Sequence, residues 1–151
     1  MRYYLDCEFN GMGGELLSLA LVAEDKIGPD IYLANSAIQS DLDQWVAKNV
    51  MPKIECEMYS PLWCPLTHWS AHLETFLRRD TDVTIITDWP DDIKYFCELI
   101  LTGPGTMIEV RPSIKFEMHR VDAYPTTLPG AVQHNAYWDA MALRHKLQEG
   151  A

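Results

Sequence analysis

The chain has 151 residues, 48% of them hydrophobic and 23% charged, with 22 acidic against 12 basic side chains and a net charge of −10. That balance excludes a disordered polyampholyte and matches the size of one domain, spanning residues 1–151. The negative charge opposes wrapping of duplex DNA or docking on an anionic membrane, but suits divalent cations or short nucleic-acid ends with few phosphates. The longest apolar run, Leu16 to Ala23, falls well short of the ~18 residues that a membrane span needs and is broken by Ser18. No leader-like apolar segment follows the amino terminus, and four cysteines without a CxxC pair fit free thiols in the cytoplasm.

Tyr3-Tyr4-Leu5 leads into Asp6-Cys7-Glu8-Phe9 and predicts a strand that begins almost at residue 2. Asn10 to Gly14 reads as a turn, and Leu16 to Val22 as a strand covered on both faces. A third strand, Ile31 to Ala34, follows the Gly28-Pro29-Asp30 turn, so the three form an antiparallel meander. The period then becomes helical. Leu42, Trp45, Val46, Asn49 and Val50 follow an N-cap in Ser40-Asp-Leu-Asp, and Pro52 ends that helix. Cys56 to Pro65 reads as an irregular aromatic loop. Trp69, Leu73, Phe76 and Leu77 define a helix ending near Arg79, and Val83 to Thr87 a buried strand. Ile93, Phe96, Cys97, Ile100 and Leu101 mark a third helix. Thr102 to Pro129 suggests short strands at Ile108 to Val110 and at Lys115 to Met118. Ala136, Ala140, Leu143 and Leu147 line a last helix. The order predicts an α/β fold: a mixed sheet with helices on its faces.

Three groups of side chains are candidates to carry chemistry. Asp6 and Glu8, two apart on one strand, project from the same face, where burial and mutual repulsion both oppose ionisation unless a cation is bound. Taken alone, the pair fits an edge strand with a solvated face. Asp88, Asp91 and Asp92 follow the buried strand, at the sheet end where open α/β folds place ligands; helix capping accounts for one of them but not three. His134 and Asp139 bracket a helix start capped by Asn135 and reach a common point if the histidine rides on a mobile loop. Four carboxylates and an imidazole of near-neutral pKa are the parts of a two-metal phosphoryl-transfer site.

Asp6-Cys7-Glu8-Phe9, then Asp92-Ile-Lys-Tyr-Phe96, then His134-x4-Asp139 resemble, in order, the three motifs of the DEDDh 3′–5′ exonucleases. Glu15 to Asp25 is similar to the second strand of a small bacterial exoribonuclease group within that superfamily, and the likeness covers nearly the whole chain. The resemblance implies an RNase H-like fold and two Mg²⁺ or Mn²⁺ ions held by Asp6, Glu8, Asp92 and Asp139, with His134 as general base. One ion would sit on Asp6, Glu8 and Asp139, and a second would share Asp6. The lead-in Asp88-Trp-Pro-Asp91-Asp92 departs from the family's more apolar pattern; Asp92 is chosen because Tyr95-Phe96 follow at the family's spacing, with Asp88 as the alternative.

The implied reaction is hydrolysis of terminal phosphodiesters at the 3′ ends of short or single-stranded RNA, releasing nucleoside 5′-monophosphates. A homodimer is also implied by the resemblance. Phe9, Trp89, Tyr137 and Trp138 adjoin the proposed ligands and are the candidates for stacking a terminal base, although any one of them also suits the core. DNA cleavage, small-nucleotide phosphodiesterase activity and a non-catalytic RNA-end-binding module are the competing readings. Cys56, Cys64, His68 and His72 lack the hooks of a zinc site, and Arg78-Arg79 and Arg144-x-Lys146 are too sparse for a nucleic-acid track.

Overall fold

The computed structural model describes residues 1–150. Its centre is a six-stranded mixed sheet built from β1 (Arg2–Phe9), β2 (Leu16–Ala23), β3 (Ile31–Asn35), β4 (Leu62–Cys64), β5 (Asp82–Thr87) and β8 (Ser113–Met118). The spatial order is β4-β3-β2-β1-β5-β8. β1, β2 and β3 pair antiparallel, with Asp6 opposite Ala20 and Ser18 opposite Ala34, while β4, β5 and β8 each join in parallel. Four helices flank the sheet: α1 (Gln44–Asn49), α2 (Trp69–Leu77), α3 (Pro90–Ile100) and α4 (Ala136–Glu149). The architecture is α/β and of the RNase H-like mixed-sheet kind. Among the described residues no helix is long and apolar enough to cross a membrane.

Strand alternation sorts β1 between two cores. Tyr3, Leu5 and Cys7 pack toward α2 and α3, with Trp69, Leu73, Phe76 and Phe96. Tyr4 packs on the opposite side with Ala136, Ala140 and Leu143 of α4. Asp6 and Glu8 continue the Tyr4 face, so the pleat puts both carboxylates on the side of β1 that Tyr4 shares with α4. β2 is buried at all eight positions, as a strand covered by helices on both faces must be.

Between β1 and β2 the chain reverses so closely at Gly14 that a Cβ there would lie 1.8 Å from the Asn10 carbonyl oxygen. The Tyr95 hydroxyl of α3 donates to the Gly14 carbonyl, and Phe9 stacks on the Tyr95 ring at 4.9 Å. The β1 end is thereby tied to the helix that carries Asp92.

Several boundaries differ from the sequence reading. α1 is shorter than expected; within the capping stretch it is Asp43 that accepts from the Trp45 and Val46 amides, and Pro52 opens a 3₁₀ turn over Met51–Lys53. Leu62–Cys64, read as irregular loop, is a strand: alongside β3 its three residues gain a parallel ladder that no local pattern announces. Ile108 to Val110 forms no strand. The pairing falls just before it, in a small hairpin of β6 (Leu101–Gly103) and β7 (Thr106–Met107), and Ile108 is instead buried in the core. Leu101 accordingly leaves α3 and opens that hairpin.

Candidate metal centre

Three chain segments bring acids to one end of the sheet. β1 supplies Asp6 and Glu8 from a single face. The end of β5 and the first turn of α3 supply Asp88 and Asp92, with Pro90 starting the helix. α4 supplies Asp139 from its first turn.

The acids form two adjoining groups. Ligand atoms of Glu8, His134 and Asp139 lie within 4.8 Å of one another, and so do those of Asp6, Asp88 and Asp92. All four carboxylates expected as ligands and the expected imidazole are therefore here. Asp88 and Asp92, weighed as alternatives, both join; Asp91 does not, and instead accepts from the Trp89 indole at 3.0 Å. Asp6 stands with Asp88 and Asp92, not in one triad with Glu8 and Asp139 as the implied ion placement had it.

Asp92 is buried and accepts the Thr87 hydroxyl at 2.8 Å. Oδ2 of Asp6 is buried with no hydrogen-bond partner among the described residues. A buried carboxylate oxygen left bare costs free energy that folding alone does not recover.

Electrostatics follow from this crowding. Burial raises the Asp6 carboxyl well above the ordinary range, and the charges of Asp92, Asp139 and Glu8 add to it. Glu8 is raised for the same two reasons, burial first and then Asp139, with Lys53 pulling weakly the other way. Burial pushes Asp92 up to about 8, against the opposing Thr87 hydrogen bond. Asp139 is pushed up to about 7, again chiefly by burial. His134 moves down through burial and the nearby Lys53 charge, a shift that favours the neutral imidazole, the form able to accept a proton.

His134 sits in the turn that leads into α4, outside the helix as expected. Its φ of 60° is left-handed, an uncommon conformation for a residue with a Cβ. The next residue, Asn135, donates to the Lys53 and Ile54 carbonyls at 2.7 and 3.1 Å and accepts from the Trp138 amide at 3.1 Å. The Trp45 ring meets the imidazole edge-on at 5.1 Å.

The aromatic residues divide. Phe9 and Trp89 line an open cavity of about 460 Å³ with Glu8, Met12 and Trp45, directly beside the acids. Tyr137 and Trp138 are core instead. Tyr137 stacks on Tyr59 at 3.8 Å and donates to Asp30, while Trp138 packs edge-on against Tyr59. Neither presents a free face, so the expectation that they stack a base is withdrawn: the first turn of α4 buries both while Asp139 reaches the acids. Trp45 and Lys53, which the sequence reading did not single out as site residues, stand beside His134; Lys53 carries no motif, and Trp45 reads as one more apolar position of α1.

Cys56, Cys64, His68 and His72 form no metal-binding group among the described residues, and the four cysteines are free. No family model matches the chain, and no curated protein matches it.

The donors fit hard divalent cations. They are carboxylate oxygens with one imidazole, which suits Mg²⁺ or Mn²⁺ better than the thiolate-favouring metals, and the bare Asp6 oxygen is the kind of group a cation would satisfy.

Proposed function

We propose that the protein is a metal-dependent 3′–5′ exonuclease that hydrolyses the terminal phosphodiester of short or single-stranded RNA and releases nucleoside 5′-monophosphates in the cytoplasm. The observation that carries the reading is the pair of adjoining acidic groups, one of which includes His134. Polarity and preference for RNA rest on the resemblance of the three motifs to the DEDDh exonucleases.

Asp6, Glu8, Asp92 and Asp139 would hold two Mg²⁺ or Mn²⁺ ions, with Asp88 beside them. When bound, such ions polarise the phosphoryl oxygens and make water acidic enough to attack at neutral pH. The rest of the chemistry belongs to the chain. His134 takes the proton of the attacking water at a ring nitrogen, and its burial favours the neutral imidazole that this needs. The water oxygen bonds to phosphorus, the bond from phosphorus to the departing 3′ oxygen breaks with its electron pair on that oxygen, and the oxygen takes a proton from solvent water to leave as a hydroxyl. Phe9, Trp45 and Trp89 supply apolar surface for the last base, and Lys53 offsets part of the negative charge near Glu8.

Matched RNA and DNA oligonucleotides labelled at the 5′ end test the reading. In Mn²⁺ the RNA is expected to shorten one nucleotide at a time from its 3′ end, with 5′-monophosphates as products and no cleavage in EDTA. Cleavage that persists in EDTA, or nucleoside 3′-monophosphate products, would overturn it. Faster loss of the DNA ladder would transfer the assignment to DNA.

A further inference from the structure

The parallel ladder between β8 and β5 runs one rung past Met118, with the His119 amide donating to the Thr87 carbonyl at 2.8 Å. This continuation brings Arg120 to the residues that follow β5. Its Nη1 donates to the Asp88 carbonyl at 2.6 Å, and its guanidinium carbon lies 4.7 Å from the centre of the Trp89 ring. Those two contacts hold the group in place and leave most of its donors facing solvent.

Arg120 takes part in no ion pair among the described residues, whereas Arg2, Lys94 and Arg111 each pair with a glutamate. Its charge is felt by the Asp88 carboxyl, which it draws down against the rise caused by burial. Arg120 lines a second cavity of about 290 Å³ together with Trp89, Asp122 and the exposed Tyr124. Trp89 lines both this cavity and the apolar groove beside Glu8, and Asp88 belongs both to this lining and to the acidic group.

We propose that Arg120, Trp89 and Tyr124 form a subsite for the nucleotide adjoining the terminal one, with the guanidinium on its phosphate. The inference rests on reading the acidic cleft as a nuclease site and adds to it a requirement for chain length. A cation flanked by aromatic surfaces is the alternation that a single strand offers in phosphates and bases. The Asp88 and Asp122 carboxylates in the same lining repel a free anion. A phosphate is therefore accepted when its neighbouring bases are stacked and it is steered to the arginine.

Two substrates separate this subsite from the cleft: a trinucleotide, and the p-nitrophenyl ester of a nucleoside 5′-monophosphate, which has no second nucleotide. In Mn²⁺, Arg120→Ala is expected to raise KM for the trinucleotide about tenfold and to leave the ester's kcat/KM within about twofold, with Arg120→Lys in between. An equal loss on both substrates would show that Arg120 merely supports the acidic cluster, and no change on either would show that it touches nothing; both overturn the proposal. Fluorescence anisotropy of a labelled trinucleotide in Ca²⁺ reads the subsite without turnover, and the same tenfold weakening is expected. If the wild-type protein hydrolyses neither substrate, the nuclease reading fails. The anisotropy difference between wild type and Arg120→Ala then decides the subsite by itself.

Discussion

The two ends of β1 treat carboxylates in opposite ways. At its start, Arg2 donates from Nη1 and Nη2 to Glu117 at 2.8 Å each and from Nε to Glu24 at 3.1 Å. The paired guanidinium, helped by His119, holds Glu117 down at about 2. Four residues further along the same strand, Asp6 and then Glu8 meet three more carboxylates, Asp88 just after β5, Asp92 of α3 and Asp139 of α4, with no Lys or Arg ion pair among the described residues, and burial and repulsion raise them. One end is a finished electrostatic structure. The other is an unfinished one, and what it lacks is positive charge at the centre of the cluster. A protein does not gather acids in this way for stability, because each added charge raises the free energy of its neighbours.

The largest expected effect that sharpens this contrast is at Asp6. Asp6→Asn keeps the shape and removes the charge, so hydrolysis in Mn²⁺ should fall on the order of 10³-fold while the circular dichroism spectrum stays that of the wild type. The same substitution relieves repulsion, so the metal-free variant should melt above the metal-free wild type. An Asp6→Asn protein with near-normal turnover would reduce the acidic end to a surface feature.

Next in size is the response to pH and metal. In the metal-free protein Asp139 and Asp92 are raised to about 7 and about 8, above their ordinary range near 4. The folded state therefore binds protons more tightly than the unfolded state does. The stability linked to them is fully present below about pH 4 and is lost as the pH rises through 7 and 8. The melting temperature without metal should accordingly drop between pH 5 and pH 8. Mn²⁺ at a hundredfold excess over its dissociation constant should restore roughly 5–10 °C at pH 8. A flat profile in EDTA, with no shift on adding Mn²⁺, would erase the difference between the two ends.

How far this was visible in the sequence depends on whether the signal is local. The meander was readable because β1 to β3 carry unbroken strand patterns closed by glycine turns, and Ala136, Ala140 and Leu143 announced α4 by their spacing. β4 was not, since its three residues are a strand only through pairing with β3. The acids were found because pleat and helix geometry fix where Asp6, Glu8 and Asp139 point relative to their own elements. The choice between Asp88 and Asp92 needed the β5–α3 junction, which brings in both. Tyr137 and Trp138 were misplaced because adjacency to a site residue says nothing of which side of a helix faces the core. Arg120 was invisible for the reverse reason: its neighbours Asp88 and Trp89 are more than thirty positions away in the chain and meet it only once β8 lies beside β5.

The smallest effect belongs to the finished end, and its smallness is informative. Glu117→Gln removes a bidentate pair, yet Arg2 and Glu117 are each more than one-third exposed, so solvent screens the loss. The cost should be about 0–1 kcal/mol at pH 7, read as a shift in the urea midpoint. The sign with pH is opposite to that of the acidic cluster. Glu117 is depressed, so its contribution is present above the ordinary glutamate range and disappears as the pH falls toward 2. Wild type and Glu117→Gln should therefore converge in acid, whereas wild type and Asp6→Asn should diverge as the pH rises in EDTA. If both pairs of curves moved in the same direction, the two ends of β1 would share one electrostatic character, and the acidic end would have no special claim on a metal ion.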